Sequence, residues 1–321
     1  MTQMHRWFLG LALLPCLAAP LAAQTFPDRP IRIIVPVNPG GGTDIFARAL
    51  QEIVGNSLGQ PIIVENRPGA SGTIGVQQVV EARPDGHTLG FTWNTPVTSA
   101  PHTLGTRYTI QAIAPVFQVG YSPFALCARP DFPAQNLTGM IAQIRARPNT
   151  YTWGNEGLGG VMHLGVERIL RRLDLHMTTV PFQGAGQTLP AFLGGHITFF
   201  GGSLVGAMPA VRAGTARCYL LTTAGGNPAA PEGSGVGSLG LPEMAITIWW
   251  GMIAPLGIPA DRMAKLTETF TAAARSPRFL AAMEAQGATR ELLVGEEMGR
   301  AMQVEYTALG EVARGLGLQR Q

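Results

Sequence analysis

The segment that most constrains the fold is Pro36-Val-Asn-Pro-Gly-Gly-Gly-Thr-Asp44, because it joins a strongly apolar run, Ile31–Val35, to a helical repeat. Phe46, Ala49, Leu50, Ile53 and Val54 share one helical face, and Thr43 is placed as an N-cap. A strand that empties through glycines into a helix points the orphan N–H groups of the first turn outward. Those groups and the helix dipole favour an anion without any charged side chain. The turn therefore predicts an α/β unit with a hole of carboxylate or phosphate size. Asp44 would repel an anion beside it, so capping the loop is its favoured role, with pairing to a ligand ammonium as the alternative.

The same alternation continues along the chain. Strand-like runs are expected at Ile31–Val37, Pro61–Glu65, His87–Trp93, Pro115–Val119, Phe124–Ala128, Tyr151–Gly154, Met177–Pro181, His196–Phe200, Ala216–Thr223 and Thr247–Ala254. Helical patterns at Gly75–Ala82, Thr138–Arg145, Gly160–Leu173, Gln187–Leu193 and Leu204–Arg212 fall between them, and Asp261–Ala274, Pro277–Gln286 and Gly295–Gly315 form a helical tail. Gly225–Gly240 reads as a long surface loop or linker. Two further glycine-bearing turns, Tyr151–Gly160 and Val180–Gly186, repeat the strand, small-residue, helix order. In open α/β sheets ligands lie at the carboxyl ends of the strands, where all three turns would meet.

At 321 residues the chain is long enough for two cores. Residues 1–23 read as a secretory leader: Arg6, an apolar run from Trp7 to Ala19, then Ala19-Pro-Leu-Ala-Ala23 ahead of Gln24, with cleavage after Ala23. Pro15 beside Cys16 argues against a lipoprotein box. Charge is nearly balanced, with 23 Lys and Arg against 20 Asp and Glu, and Lys265 is the single lysine, so no basic stripe suited to nucleic acid exists. Cys127 and Cys218 lie in apolar runs and read as buried free thiols, although an oxidising compartment would permit their pairing. P-loop, zinc-protease, C-x-x-C and nucleophile-elbow motifs are all missing, and His87, His102, His163, His176 and His196 are isolated, so neither enzymatic activity nor a metal or other cofactor is expected.

Taken in order, several segments resemble the Bug family of extracytoplasmic solute receptors, the substrate-binding components of tripartite tricarboxylate transporters. They are Phe26–Ile31, Val35-Pro36 with Gly41–Asp44 and Arg48, Val64–Ala70 with Gly75, Pro84–Gly86 with Thr88-Leu89, Gly157–Gly159 with His163, Pro181–Gly184, and Trp249–Pro255 with Pro259. The resemblance implies an α/β periplasmic binding protein of the Venus-flytrap type: two lobes, a hinge and an interlobe cleft for a small carboxylate. Lobe 1 would comprise residues 24–124 and 248–321, and lobe 2 residues 125–247. Carried over by position, the ligand-binding set is Pro36, Asn38, Gly41, Gly42, Thr43, Asp44, Asn94, Thr95 and Thr98 from lobe 1, with Gly157, Gly159, Gly160, His163, Gln183, Gly184, Ala185 and Ser203 from lobe 2. Gly160, Phe182 and Gly202 stand where the family often has Ser, Tyr and Asp, so polar groups are missing near the cleft.

His163 would either donate to a carboxylate or cap its own turn, Arg67 would bridge loops, and Trp249 and Trp250 would pack at the hinge. The expected protein is a monomeric periplasmic receptor that hands a small organic acid to membrane permease subunits. A sensor for a two-component kinase and a secreted hydrolase using Ser203 or Ser71 are the competing readings.

Overall fold

The computed structural model describes residues 26–319, and the leader expected at residues 1–23 lies outside them. β1 (Ile31–Val35) is buried on both faces: Ile31, Ile33 and Val35 enter one core and Ile34 the opposite one. A run of this kind, aliphatic but for Arg32, suits a central parallel strand. Accordingly β1 pairs in parallel with β2 (Ile62–Asn66) on one side and β3 (Thr88–Trp93) on the other, with α1 (Gly42–Leu58) and α2 (Thr73–Val80) as crossovers. A short α3 (Ala100–Thr103) follows β3. The sheet continues antiparallel through β10 (Thr247–Pro255), the first half of β4 (Ile113–Ala128) and β11 (Thr289–Val294). The C-terminal helices α8 (Ala260–Ala274), α9 (Pro277–Ala285) and α10 (Glu296–Gly315) cover it.

The second lobe repeats this plan. β5 (Thr152–Asn155) lies parallel to β6 (Thr178–Pro181) and β7 (Phe199–Ser203); β7 then meets the second half of β4, which pairs onward with β8 (Arg217–Leu221), and β8 with β9 (Ser234–Gly235). Helices α4 (Leu137–Ala146), α5 (Val161–Arg172), α6 (Ala185–Leu193) and α7 (Leu204–Arg212) flank these strands. The chain is thus a two-lobed α/β protein in which β1 and β5 hold equivalent places, each with a glycine turn at its carboxyl end.

One strand serves both lobes. Pro115–Val119 and Phe124–Ala128, expected as two strands, are halves of the sixteen-residue β4. Gly120 and Pro123 look like breakers but are accommodated. A side chain at Gly120 would lie 2.2 Å from the Thr289 carbonyl, so glycine admits β11, and bulges in the β10 register absorb the mismatch. The N–H of Phe124 donates to Thr222 Oγ1 at 2.9 Å, and that hydroxyl donates to the Ile246 carbonyl at 2.8 Å. Buried Thr222 therefore ties both chain crossings together at the hinge.

Two other expectations are corrected. Gly225–Gly240 is more than a linker, since it supplies β9 and a turn of 3₁₀ helix whose Val236 is fully buried. Cys127 and Cys218 are not free thiols: the antiparallel register of β4 and β8 sets them opposite each other, and they form a disulfide. Each apolar run was evident locally, but their adjacency is a long-range sheet contact. Closing a segment of 91 residues, the disulfide is expected to contribute about 2–4 kcal/mol. Replacing both cysteines by alanine should lower the unfolding midpoint in denaturant accordingly, and non-reducing peptide mapping should recover the Cys127 and Cys218 peptides linked.

Candidate functional site

α1 begins at Gly42 with Gly41 as N-cap, and Gly40 supplies the left-handed turn (φ 90°) that brings the chain round. Asp44 does not face a ligand. It accepts from Gly40 N–H (3.0 Å), Arg48 Nε (3.0 Å) and Asn66 Nδ2 (2.9 Å), while Arg48 Nη2 also donates to Asn66 Oδ1 at 2.8 Å. Burial acts to raise its pKa, but these hydrogen bonds and the Arg48 charge outweigh it and hold the carboxyl below its usual range. An ionised Asp44 therefore braces the turn, and the N–H groups of Gly42 and Thr43 have no protein acceptor among the described residues.

These amides open onto a narrow interlobe cavity of about 10 Å³ lined by Val37, Gly41, Gly42, Thr43, Trp93, Glu156, Gly184, Ala185, Ser203, Ile248 and Trp250. Three helices of at least nine residues point their N-termini here: α1 through Gly41–Thr43, α6 through Gly184 and Ala185, and α7 through its cap Ser203. No Arg, Lys or His contributes to the lining. Trp250 also lines the cavity; its ring edge lies beside Gly42, and its buried Nε1–H has no partner among the described residues. Three partial positive helix ends on one cavity favour a small anion there.

Of the residues carried over by position, Gly41, Gly42, Thr43, Gly184, Ala185 and Ser203 line the cavity. The others have structural partners. Pro36 packs against Gly75 of α2. Asn94 donates to Glu305 Oε1 (2.8 Å) and to the Thr247 carbonyl (2.9 Å), and Thr98 donates to the Asn94 carbonyl (3.0 Å). The loop expected to form the second anion hole instead closes against lobe 1. Thr95 Oγ1 accepts from the Val161 N–H (3.1 Å), Thr103 Oγ1 donates to the Gly159 carbonyl (3.1 Å), and side chains at Gly157 or Gly160 would collide with Ser71 or Thr95. His163 caps that loop, its Nδ1 accepting from Gly159 N–H at 3.1 Å; burial pushes its pKa down, which suits a neutral acceptor ring. Asn38 Nδ2 reaches the Gln183 carbonyl at 3.4 Å, another bond between the lobes. The lobes are thus closed on each other.

Sequence reasoning missed Val37, Trp93, Ile248, Trp250 and, above all, Glu156. Its Oε1 accepts from Ser203 N–H at 3.3 Å, and burial pushes its pKa up to about 7. The nearest signal was Gly202, where a side chain would come within 2.8 Å of that oxygen; the small residue makes room for the carboxyl of Glu156. Gly42 is held to glycine by space alone. A Cβ there would lie 2.9 Å from Val205 Cγ1 and 3.1 Å from Trp250 Cζ2. Gly42→Val should therefore wedge the lobes apart while α1 still forms, so circular dichroism should be unchanged while radius of gyration rises and ligand-induced stabilisation vanishes.

Comparison with known proteins agrees with this fold. Residues 46–308 match the tripartite tricarboxylate transporter family receptor model. A UPF0065 protein of Bordetella pertussis is 33% identical over 300 residues, covering 93% of each chain, and Protein BugT of the same organism is 31% identical over 280 residues, covering 85% of each. Among solved structures, periplasmic binding protein BugD superposes with a TM-score of 0.86 at 26% identity over 92% of this chain and all of its own (100%). MatC from Rhodopseudomonas palustris with bound malate gives 0.82 at 28% identity over 89% of this chain and 99% of its own. With a family model spanning most of its length and relatives aligned almost end to end, the chain belongs to the tripartite tricarboxylate transporter receptor family, the solute receptors of the Bug type.

Proposed function

We propose that this receptor is exported to the periplasm, closes on a small organic carboxylate and delivers it as a monomer to the membrane subunits of a tripartite transporter. The observation that carries the reading is the convergence of α1, α6 and α7 N-termini on one small cavity that contains no cationic side chain. A carboxylate there accepts N–H groups of Gly42 and Thr43, with Gly41, Gly184, Ala185 and Ser203 around it and Trp250 donating from β10. With residues 24–124 and 248–321 read as the first lobe and 125–247 as the second, the described chain crosses between them within β4 and at the strand returning at Thr247, which would serve as the hinge. The interlobe bonds from Thr95, Thr103 and Asn38 act as latches that hold the closed form. Malate bound to MatC supports the carboxylate class, and no helix among the described residues is long and apolar enough to cross a membrane.

A thermal-shift screen of mono-, di- and tricarboxylates, amino acids and aromatic acids tests the reading, because a ligand that binds only the native state raises the midpoint by mass action. At least one small acid should do so, and small-angle scattering should then show a lower radius of gyration with that ligand. Trp250→Phe keeps the ring packing and removes the N–H, so affinity should fall roughly tenfold. Arg48→Ala should lower the melting temperature and leave affinity within about threefold, because Arg48 holds Asp44 and not the ligand. An arginine whose loss cost affinity a hundredfold in a folded protein would refute recognition by amides.

A further inference from the structure

We propose, resting on the reading of this chain as a receptor for small carboxylates, that Glu156 makes the site selective for zwitterions. The ligand's carboxylate lies against the α1, α6 and α7 N-termini, and its ammonium, a few atoms away, pairs with the Glu156 carboxylate.

Glu156 faces the same cavity as the amides yet is of the wrong sign for a plain anion receptor. Among the described residues it makes one hydrogen bond, from Ser203 N–H, which leaves its second oxygen without a protein donor, and it forms no ion pair there. The elements around the cavity cannot neutralise it. β3 and β10 present Trp93, Ile248 and Trp250, α1 presents Gly41–Thr43, α6 Gly184 and Ala185, and α7 Ser203, none of which carries a charge. With the lobes closed the cavity keeps only about 10 Å³ free, so a ligand held between them has no room to keep a second carboxylate remote from Glu156. A dianion would therefore bring like charges together away from water, and one of the two carboxyls would have to take a proton. An ammonium removes the conflict, since it supplies the missing counter-charge and a donor for the open oxygen. The pKa pushed up to about 7 reflects the same lack of a cation.

Isothermal titration calorimetry on the full mature protein tests this with matched pairs in which an ammonium replaces one carboxylate: succinate against β-alanine, and glutarate against γ-aminobutyrate. In the wild type the ammonium-bearing member of at least one pair should bind tighter by roughly tenfold or more, the scale of one charge-assisted hydrogen bond. Glu156→Gln keeps the shape and the Ser203 contact, and at unchanged melting temperature it should abolish that preference. A second readout needs no variant. A dianion bound beside Glu156 raises the carboxyl's pKa above its free value, so that affinity is present at low pH and is lost as pH rises through about 7. Between pH 6 and 8 the dianions should weaken in the wild type while the zwitterions tighten, because an ammonium pairs only with the ionised carboxyl, and Glu156→Gln should flatten both. Dianions that bind the wild type as tightly as their amino partners, with no pH dependence or no change in Glu156→Gln, would overturn the proposal and leave the carboxylate receptor standing. Binding by none of these acids, nor by any in the wider screen, would overturn both.

Discussion

A single strand shared by two sheets is the constraint from which the rest of this molecule follows. β4 pairs with β10 and β11 over its first half and with β7 and β8 over its second, so the lobes are joined by continuous backbone hydrogen bonding and not by a slack linker. Thr222 ties the outgoing strand to the returning one through Phe124 and Ile246, which leaves rotation about this narrow waist as the soft motion. Because β1 and β5 occupy equivalent places on either side of it, their carboxyl ends face each other across one cleft. The glycine turns must then pack lobe against lobe. Side chains at Gly42, Gly157 and Gly186 would strike Val205, Ser71 and the Pro39 carbonyl, so small residues are required by closure as much as by ligand approach.

The electrostatics of the cleft are those of dipoles, not of ions. A helix N-terminus contributes about 0.3–1 kcal/mol toward a neighbouring negative charge, and amide bonds to a carboxylate contribute about 1.5–3 kcal/mol each. Several such donors hold an anion firmly without an arginine, and they cost little reorganisation because the backbone fixes them. The absence of cations from the lining also gives Glu156 its influence. In a site held by arginine a further carboxylate would be one charge among several; here it is the sole charged side chain and sets the sign that the rest of the ligand must carry.

The fold was largely legible in the sequence and the site only in part. The apolar run Ile31–Val35, and apolar faces such as Phe46, Leu50 and Val54 on α1, are local patterns, and the order of motifs identified the two-lobed receptor. What local patterns cannot carry is register. Neither the continuity of β4 through Gly120 and Pro123 nor the pairing of Cys127 with Cys218 is encoded in any short window. β11 was overlooked because Thr289, Arg290 and Glu291 are exposed and show no apolar alternation. At the site, sequence position located the first glycine turn but could not tell free amides from occupied ones. The Gly157–Gly160 turn is glycine-rich like Gly40–Gly42, yet its Gly159 amide is taken by His163 and the first amide of α5 by Thr95. Val180–Gly186, the third turn, instead reaches the cavity through Gly184 and Ala185.

Three acidic residues near the cleft show how partners, and not burial alone, decide what a carboxyl is for. Asp44 is surrounded by Arg48, Asn66 and the Gly40 amide, stays ionised, and spends its charge on the α1 turn. Glu305 on α10 is deeply buried, which raises its pKa, but hydrogen bonds from Trp249 and Asn94 satisfy both of its oxygens and fasten α10 to the ends of β3 and β10. Both are complete without a ligand. Glu156 has one amide on one oxygen and an open cavity on the other side, and desolvation pushes its pKa up with little to oppose it. A carboxyl left short of donors is costly wherever water is excluded, and lobe closure excludes it. The group that completes Glu156 has to arrive with the ligand, which makes closure and ligand chemistry a single event at this residue.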